Sequence, residues 1–377
     1  MPPVHVMIKP ASAGCNMRCS YCFYADEAAS RQVGARGIMS PDTAAQIVKK
    51  ALAHARGSCS FIFQGGEPTL AGLDFFRHFV ELVNGQRPPD VAVSYAFQTN
   101  GLLIDEEWAR FFADNRFLVG VSMDGTAEVH DRLRPLAGGG ASHALVLDRL
   151  RLLRRAGVEC NVLTVVTRQL ARDIARTYDF FKEEGILYQQ YIPCMDPLDA
   201  ARGGQAYSLT PREYAKFLHR LFVLWKKDLD RGLYVSVRHF DNWLSILLGR
   251  PPESCNMLGV CSVQYVVEAD GSVYPCDFYC LDQWALGSVL REDFDAFDAR
   301  RRQLGFVERS LPVPPECGRC PWRALCRNGC PRDRVQQPGQ TWAKNYYCDA
   351  YREFFSLHFR DLQQAAGRLA GQNGAFL

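Results

Sequence analysis

Three cysteines in the stretch KPASAGCNMRCSYCFY, Cys15, Cys19 and Cys22, are separated by three and then two residues. Thiolates so spaced are soft metal ligands, yet a closed structural site takes four. Three protein ligands leave one metal position open. An open position does chemistry, where a closed one holds structure or carries electrons. Eight more cysteines gather near the other end: Cys255, Cys261, Cys276, Cys317, Cys320, Cys326, Cys330 and Cys348. They suffice for two complete four-thiolate cages, of iron–sulfur clusters or of zinc. In isolation CGRCPWRALC reads most simply as zinc; the unpaired triplet upstream moves the reading toward iron. The last four, Cys59, Cys160, Cys194 and Cys280, lie in or beside apolar runs and read as small buried side chains. Cys194 and Cys280 adjoin site motifs and are the two candidates for more.

The chain that carries them has 377 residues, enough for a sizeable core and, by length, about two domains. Its net charge of +3 is too balanced to argue for nucleic acid or an anionic membrane as partner. No apolar run reaches the roughly 18 residues of a membrane span. The start, MPPVHVMIKP, alternates like a strand and lacks the basic-then-apolar build of a signal peptide. The expected location is therefore cytoplasmic, where stable disulfides are rare and cysteines in this number are more readily metal ligands.

Positioning the cysteines requires a frame, and the first 200 residues supply a regular one. VHVMIK, CSFIFQ, VAVSYAFQ, FLVGVSM, VECNVLTVV and ILYQQYI read as strands, with apolar-periodic helices between them. Ser40, Pro41 and Asp42 open the first such helix and Gly57 closes it. Alternation of this kind predicts parallel βαβ units, here an α/β fold built as a partial (β/α)6 TIM-type barrel. A doubly wound sheet is the second choice. The cysteine triplet, GGEP (65–68), QTNG (98–101), SMDG (122–125) and IPCM (192–195) all follow strands, the end at which barrels build active sites. Thr210-Pro211-Arg212-Glu213 reads as a capping box. From Cys255 the chain turns to short segments and dense cysteines, as expected of a small region held by metal rather than by an apolar core. The expected division is 1–205 for the barrel, 206–254 for a helical bridge, 255–360 for the cysteine-rich domain and 361–377 for a tail.

Cys15-x3-Cys19-x2-Cys22, with Tyr21 before the last cysteine, resembles the signature of the radical S-adenosylmethionine (SAM) superfamily. The downstream eight resemble its SPASM extension. IKPASAGCNMRCSYCFY, FQGGEPTLAGLDFF, QTNGLLIDEEWA, VGVSMDG and VYPCDFY, in this order, resemble the anaerobic sulfatase-maturating enzymes, from about residue 5 to 360. The resemblance implies three 4Fe–4S clusters and SAM. The first cluster would be held by Cys15, Cys19 and Cys22. An auxiliary one would be held by Cys255, Cys261, Cys276 and Cys330, the other by Cys317, Cys320, Cys326 and Cys348. That interleaving does not follow from spacing. Tyr21, Gly65, Gly66, Glu67, Ser122, Arg134 and Met195 match SAM contacts. Gly65, Gly66 and Glu67 match the segment receiving the amino group, where glycines admit close approach and a carboxylate suits an ammonium.

The implied reaction is oxidation of a cysteine or serine in an unfolded sulfatase polypeptide, bearing Cys/Ser-x-Pro-x-Arg, to formylglycine. A deoxyadenosyl radical would take a β-hydrogen, and an external one-electron donor would reduce the cluster. Asp277 matches the general base. A thiol near pKa 8.5 and a carboxyl near 3.9 differ by about 4.6 units, so transfer in the ground state costs roughly 6 kcal/mol. The proton is therefore expected to leave as the substrate radical is oxidised. Tyr24 and Gln64 adjoin the site motifs and are candidate peptide contacts. The alternative reaction is a thioether or carbon–carbon cross-link in a ribosomal peptide; the alternative class is a zinc-ribbon binding protein.

Overall fold

Six strands lie in consecutive order in one parallel sheet: β1 Val4–Lys9, β2 Ser58–Phe63, β3 Ala92–Thr99, β4 Leu118–Ser122, β5 Glu159–Val166 and β6 Tyr188–Pro193. The structure, a computed structural model, describes residues 3–336 and 338–371. Consecutive order is that of an opened barrel; a doubly wound sheet would reverse at a switch point. The crossovers carry α1 Phe23–Ala29, α2 Pro41–His54, α3 Leu73–Gln86, α4 Glu106–Asp114, α5 Ala127–Leu133, α6 His143–Arg155 and α7 Arg168–Glu183. After β6 come α8 Pro211–Asp230, β7 Ser236–Val237 and α9 Arg238–Leu247. The fold is thus α/β, a partial barrel of six βα units.

Alternation along each strand separates two environments. Val4, Val6 and Ile8 of β1 and Phe61 and Phe63 of β2 join the apolar core, which also takes in Ile47 and Val48 of α2 and Phe76 and Phe79 of α3. The alternate residues are more polar. Ser60 and Ser94 meet at 2.9 Å, and Gln98 Nε2 donates to Ser122 Oγ at 3.0 Å. An apolar outer layer and a polar inner lining suit a barrel that takes up a polar partner.

The cysteine-rich region departs from expectation. It contributes β8 Tyr265–Glu268, β9 Ser272–Tyr274, β10 Gly287–Ser288, α10 Phe294–Gln303, α11 Arg323–Cys326, β11 Arg334–Gln336, β12 Ala343–Asn345 and α12 Cys348–Gly371. β8 pairs in parallel with the free edge of β1, setting Val6 against Tyr265 and Lys9 against Glu268; β9 and β10 extend the sheet antiparallel. Tyr265, Val267, Phe294, Phe297, Phe354 and Phe355 belong to the same apolar core as the barrel. Metal is therefore not the sole support of this region. The expected boundary at 360 falls inside α12, which runs unbroken because its apolar face continues through Leu362, Ala365, Ala366 and Leu369. Residues 372–377 of the expected tail, and 1 and 2 of the first segment, lie outside the described residues.

Local signals hold closely. Ser40 caps α2 by accepting from Thr43 N, but the helix stops at His54, and Gly57 (φ 73°) only turns the chain into β2. Thr210 and Glu213 form the complete capping box of α8. Thr210→Ala should cost about 1 kcal/mol of stability, read as a lower denaturant midpoint at constant slope.

Candidate active site and thiol cages

The loops after β1, β2 and β3 are sewn together before any ligand is considered. Gly66 N donates to Ser12 O (2.8 Å) and Glu67 N to Gly14 O (2.7 Å), zipping GGEP onto the segment leading into the cysteines. A Cβ on Gly66 would lie 2.1 Å from Gly14 O, and Gly65 has φ 118°, so both positions require glycine. Their first duty is loop-to-loop packing, with the ligand approach expected from sequence added to it. Glu67, 0% exposed, is likewise not a free carboxylate. Oε1 accepts from Thr69 N, Thr69 Oγ1 and Thr99 Oγ1, and Oε2 from Asn100 N at 2.7 Å. Burial pushes its pKa up, and these donors work against that shift.

Asn100, which sequence reasoning passed over although QTNG stood out, donates to Asn16 Oδ1 at 2.7 Å and points Nδ2 at Cys15 Sγ (3.8 Å). On the other side Arg18 N donates to Pro135 O and Ser20 N to Leu133 O, so the cysteine loop is strapped to the segment carrying Arg134. Arg134 Nη1 donates to Tyr21 Oη at 2.6 Å, and Tyr21 in turn bonds Asp124. Asp124, also missed, sits in SMDG and accepts Val165 N at 3.0 Å. Arg134 thus has a structural partner as well as a place in the cavity wall.

These loops enclose a cavity of about 160 Å³ lined by Cys15, Cys19, Cys22, Tyr21, Gly65, Gly66, Glu67, Ser122, Arg134 and Met195. Every SAM-contact candidate named from the sequence is therefore on one wall or another. Tyr24 and Gln64 line it too, with Cys194 and Phe278. Through Ile192, Pro193, Met195 and Phe278 the cavity adjoins a larger cleft of about 580 Å³, which Cys255 and Cys330 also line. Asp277, 5% exposed, stands behind Tyr24 and Gln64. Its Oδ2 accepts from Tyr24 Oη at 2.7 Å and from Gln64 Nε2 at 3.2 Å.

The remaining thiols fall into two groups. Cys330 is within electrostatic reach of Cys276, Cys255 and Cys261. Cys317, Cys320, Cys326 and Cys348 line a separate cavity of about 540 Å³. Among the described residues no three His, Cys, Asp or Glu side chains converge closely enough to grip one ion. Thiols arranged around cavities of this size leave room for a multi-iron group. Burial raises the Cys19 thiol to about 11 and the Cys326 thiol to about 12, so their ligation must release protons. Cys59 and Cys280 are fully buried, Cys194 nearly so, and Cys160 partly.

The partition is open to test by iron content. Cys330→Ala and Cys348→Ala should each remove about one cluster's iron. Adding Cys255→Ala to Cys330→Ala should remove no more, whereas combining Cys330→Ala with Cys348→Ala should be additive.

Comparison with known proteins agrees with this geometry. Residues 10–181 match the radical SAM superfamily and 255–321 an iron–sulfur cluster-binding domain, SPASM. The chain is 42% identical over 370 residues to the cysteine-type anaerobic sulfatase-maturating enzyme of Clostridium novyi, covering 98% of this chain and 99% of that one. It is 43% identical to the enzyme of the same description from Clostridium perfringens, over 98% and 100%. A solved structure described as native anSMEcpe with bound AdoMet and Cp18Cys peptide superposes with a TM-score of 0.92 at 43% identity, covering 98% and 100% of the two chains. The donor set fits iron–sulfur ligation: the Cys15, Cys19 and Cys22 triplet lines the first cavity, with the buried Cys194 also on its wall, and eight further thiols lie beyond it. The chain belongs to the anaerobic sulfatase-maturating enzymes, radical SAM enzymes that use three 4Fe–4S clusters and SAM.

Proposed function

We propose that this enzyme oxidises a cysteine in an unfolded sulfatase polypeptide, within a Cys-x-Pro-x-Arg segment, to formylglycine. Its location is cytoplasmic, its electrons come from an external one-electron donor, and serine is the lesser client. The observation that carries this reading is the Tyr24–Asp277–Gln64 arrangement, which sets a buried carboxylate against the cavity wall and next in sequence to Cys276. Cys15, Cys19 and Cys22 hold the reactive cluster; Cys255, Cys261, Cys276 and Cys330 hold one auxiliary cluster, and Cys317, Cys320, Cys326 and Cys348 the other. Tyr21, Gly65, Gly66, Glu67, Ser122, Arg134 and Met195 position SAM. When bound, the cluster and SAM supply a carbon radical able to take a β-hydrogen atom from the client residue.

The chain's own residues then manage the proton. The substrate thiol enters where Tyr24 and Gln64 face the cavity, and its proton passes to Asp277 Oδ2 directly or by way of the Tyr24 hydroxyl. Loss of that proton, together with one electron to the auxiliary cluster that Cys276 would help to hold, would leave a carbon–sulfur double bond, and water would convert it to the aldehyde with release of hydrogen sulfide. The adjoining cleft, lined by apolar residues such as Ile192, Leu258 and Phe278 and by charged ones such as Arg238, Glu253 and Arg332, takes the rest of the extended polypeptide. The cross-linking alternative is the weaker, since the relatives that span the chain carry the maturation name.

The decisive experiment is anaerobic incubation of the reconstituted protein with SAM, a reductant, and matched Cys-x-Pro-x-Arg and Ser-x-Pro-x-Arg peptides. Replacement of sulfur by oxygen with loss of two hydrogens, trapped as an aldehyde, is expected with cysteine. Loss of two hydrogens without an aldehyde would instead indicate a cross-link. Asp277→Asn should lower formylglycine formation by about 10²-fold, the scale of a lost general base, while deoxyadenosine release continues.

A further inference from the structure

Lys9, the first residue of KPASAGC, is 2% exposed, and four polar groups from distant segments surround its ammonium. Nζ lies 3.0 Å from Asp277 Oδ1, 3.6 Å from Glu27 Oε2, 3.8 Å from Glu268 Oε1 and 3.2 Å from Cys280 Sγ. It also sits 4.7 Å from the centroid of the Tyr24 ring. Among the described residues, Asp277 Oδ1 and Glu27 Oε2 have no hydrogen-bond donor of their own. The charge of Lys9 is what faces them. Glu268 is shared with Arg31, whose Nη1 lies 2.7 Å from Oε1.

Burial by itself would discharge a lysine, but the carboxylates of Asp277, Glu27 and Glu268 oppose it and hold the ammonium charged. A charged lysine here is a fixed point. It emerges from the end of β1, where sheet register sets it beside Glu268. A Cβ on Gly65 would lie 3.0 Å from Lys9 Cβ, so the stem is held at the base of the GGEP loop.

We propose that Lys9 is a positioning residue for the reaction: by holding Asp277 Oδ1, it fixes the carboxylate in the orientation that presents Oδ2 to Tyr24 and Gln64. The carboxylate has two oxygens and two sets of partners on opposite sides. A part-turn of the Asp277 carboxylate would lengthen the ion pair at one oxygen and the two hydrogen bonds at the other, whereas a half-turn only exchanges equivalent oxygens. Without Lys9, Oδ1 loses its counter-charge and the carboxylate is free to turn. Cys280 serves as neutral packing below the ammonium. The proposal rests on the oxidation proposed above and adds to it a residue that touches neither the client nor SAM.

The test measures formylglycine formed per SAM cleaved in Lys9→Met, alongside iron content, cluster absorption and peptide KM. The expected result is a fall of about 10²-fold in that ratio and in kcat, the scale of a misplaced reacting group. Iron content, deoxyadenosine release and KM should stay within about twofold. Because Lys9→Met removes the cation that faces all three carboxylates, Lys9→Met combined with Glu27→Gln is measured in parallel to lower the buried negative charge. Lys9→Ala should regain product on addition of propylammonium, which replaces the atoms removed. A parental ratio in both Met-containing proteins would overturn the proposal. So would loss of iron and SAM cleavage together with product in both, which would make Lys9 a folding anchor only. If the parent itself forms no aldehyde, the proposed function fails instead, and the two failures are distinct.

Discussion

An ammonium withdrawn from water must be met by opposite charge, because removing one partner of a buried pair leaves an uncompensated ion costing about 3–5 kcal/mol. Lys9 is met by Glu27 from α1, Glu268 from β8 and Asp277 from the turn after β9. Two of these residues lie at the start of the chain and two some 240–270 residues later, so both ends must arrive together for any of them to be satisfied. Parallel pairing of β1 with β8 and a common apolar core impose the same condition. The barrel and the cysteine-rich region are therefore one cooperative structure at this seam, and the seam is where the chemistry sits.

That arrangement has a consequence for how proton and electron leave a client residue. Asp277 faces the first cavity through Tyr24 and Gln64, and its neighbour Cys276 belongs with Cys330 and Cys255. In the proposed reaction, base and electron acceptor would then approach the substrate from one side, on one short stretch of backbone. Removing the proton as the electron departs avoids forming a thiolate at the expense of a much weaker base. Such coupling demands fixed geometry, and the stitching of the β1, β2 and β3 loops by Glu67, Asn100 and Gly66 supplies rigid support.

What could be read from the sequence was what local interactions decide. VHVMIK is β1 to the residue because alternation alone specifies it, and the Thr210 box is visible because its partners lie three residues apart. The link between β1 and β8 was hidden, since a parallel pairing across more than 250 residues leaves no local trace. So was the extent of α12 and the apolar support of the cysteine-rich region. Glu67 looked like a ligand because a carboxylate beside two glycines resembles one; only the loops it joins reveal its hydrogen bonds. Lys9 looked like any lysine at the end of a strand. Its burial follows from β8 and α1 closing over it, which no window of sequence contains.

Thiol sets of this kind concentrate negative charge when ligated, and each has its own cation. Arg134 acts on Cys15 and Cys19, Arg309 and Arg334 on Cys261, and Lys344 with Arg323 on Cys317. The cations differ in how firmly they are held. Lys344 pairs with exposed Glu316 at 2.7 Å, where solvent shares the work of screening. Arg134 is buried, and its guanidinium is bonded to Tyr21, which Asp124 holds in turn. At the Cys261 set Arg334 is held by the backbone carbonyls of Asn328, Gly329 and Ser310. At the three-thiol site one position is filled by a ligand that must arrive, react and leave, so the protein around it has to keep its shape without that ligand. The Arg134–Tyr21–Asp124 chain and the Glu67 hydrogen bonds provide this permanence.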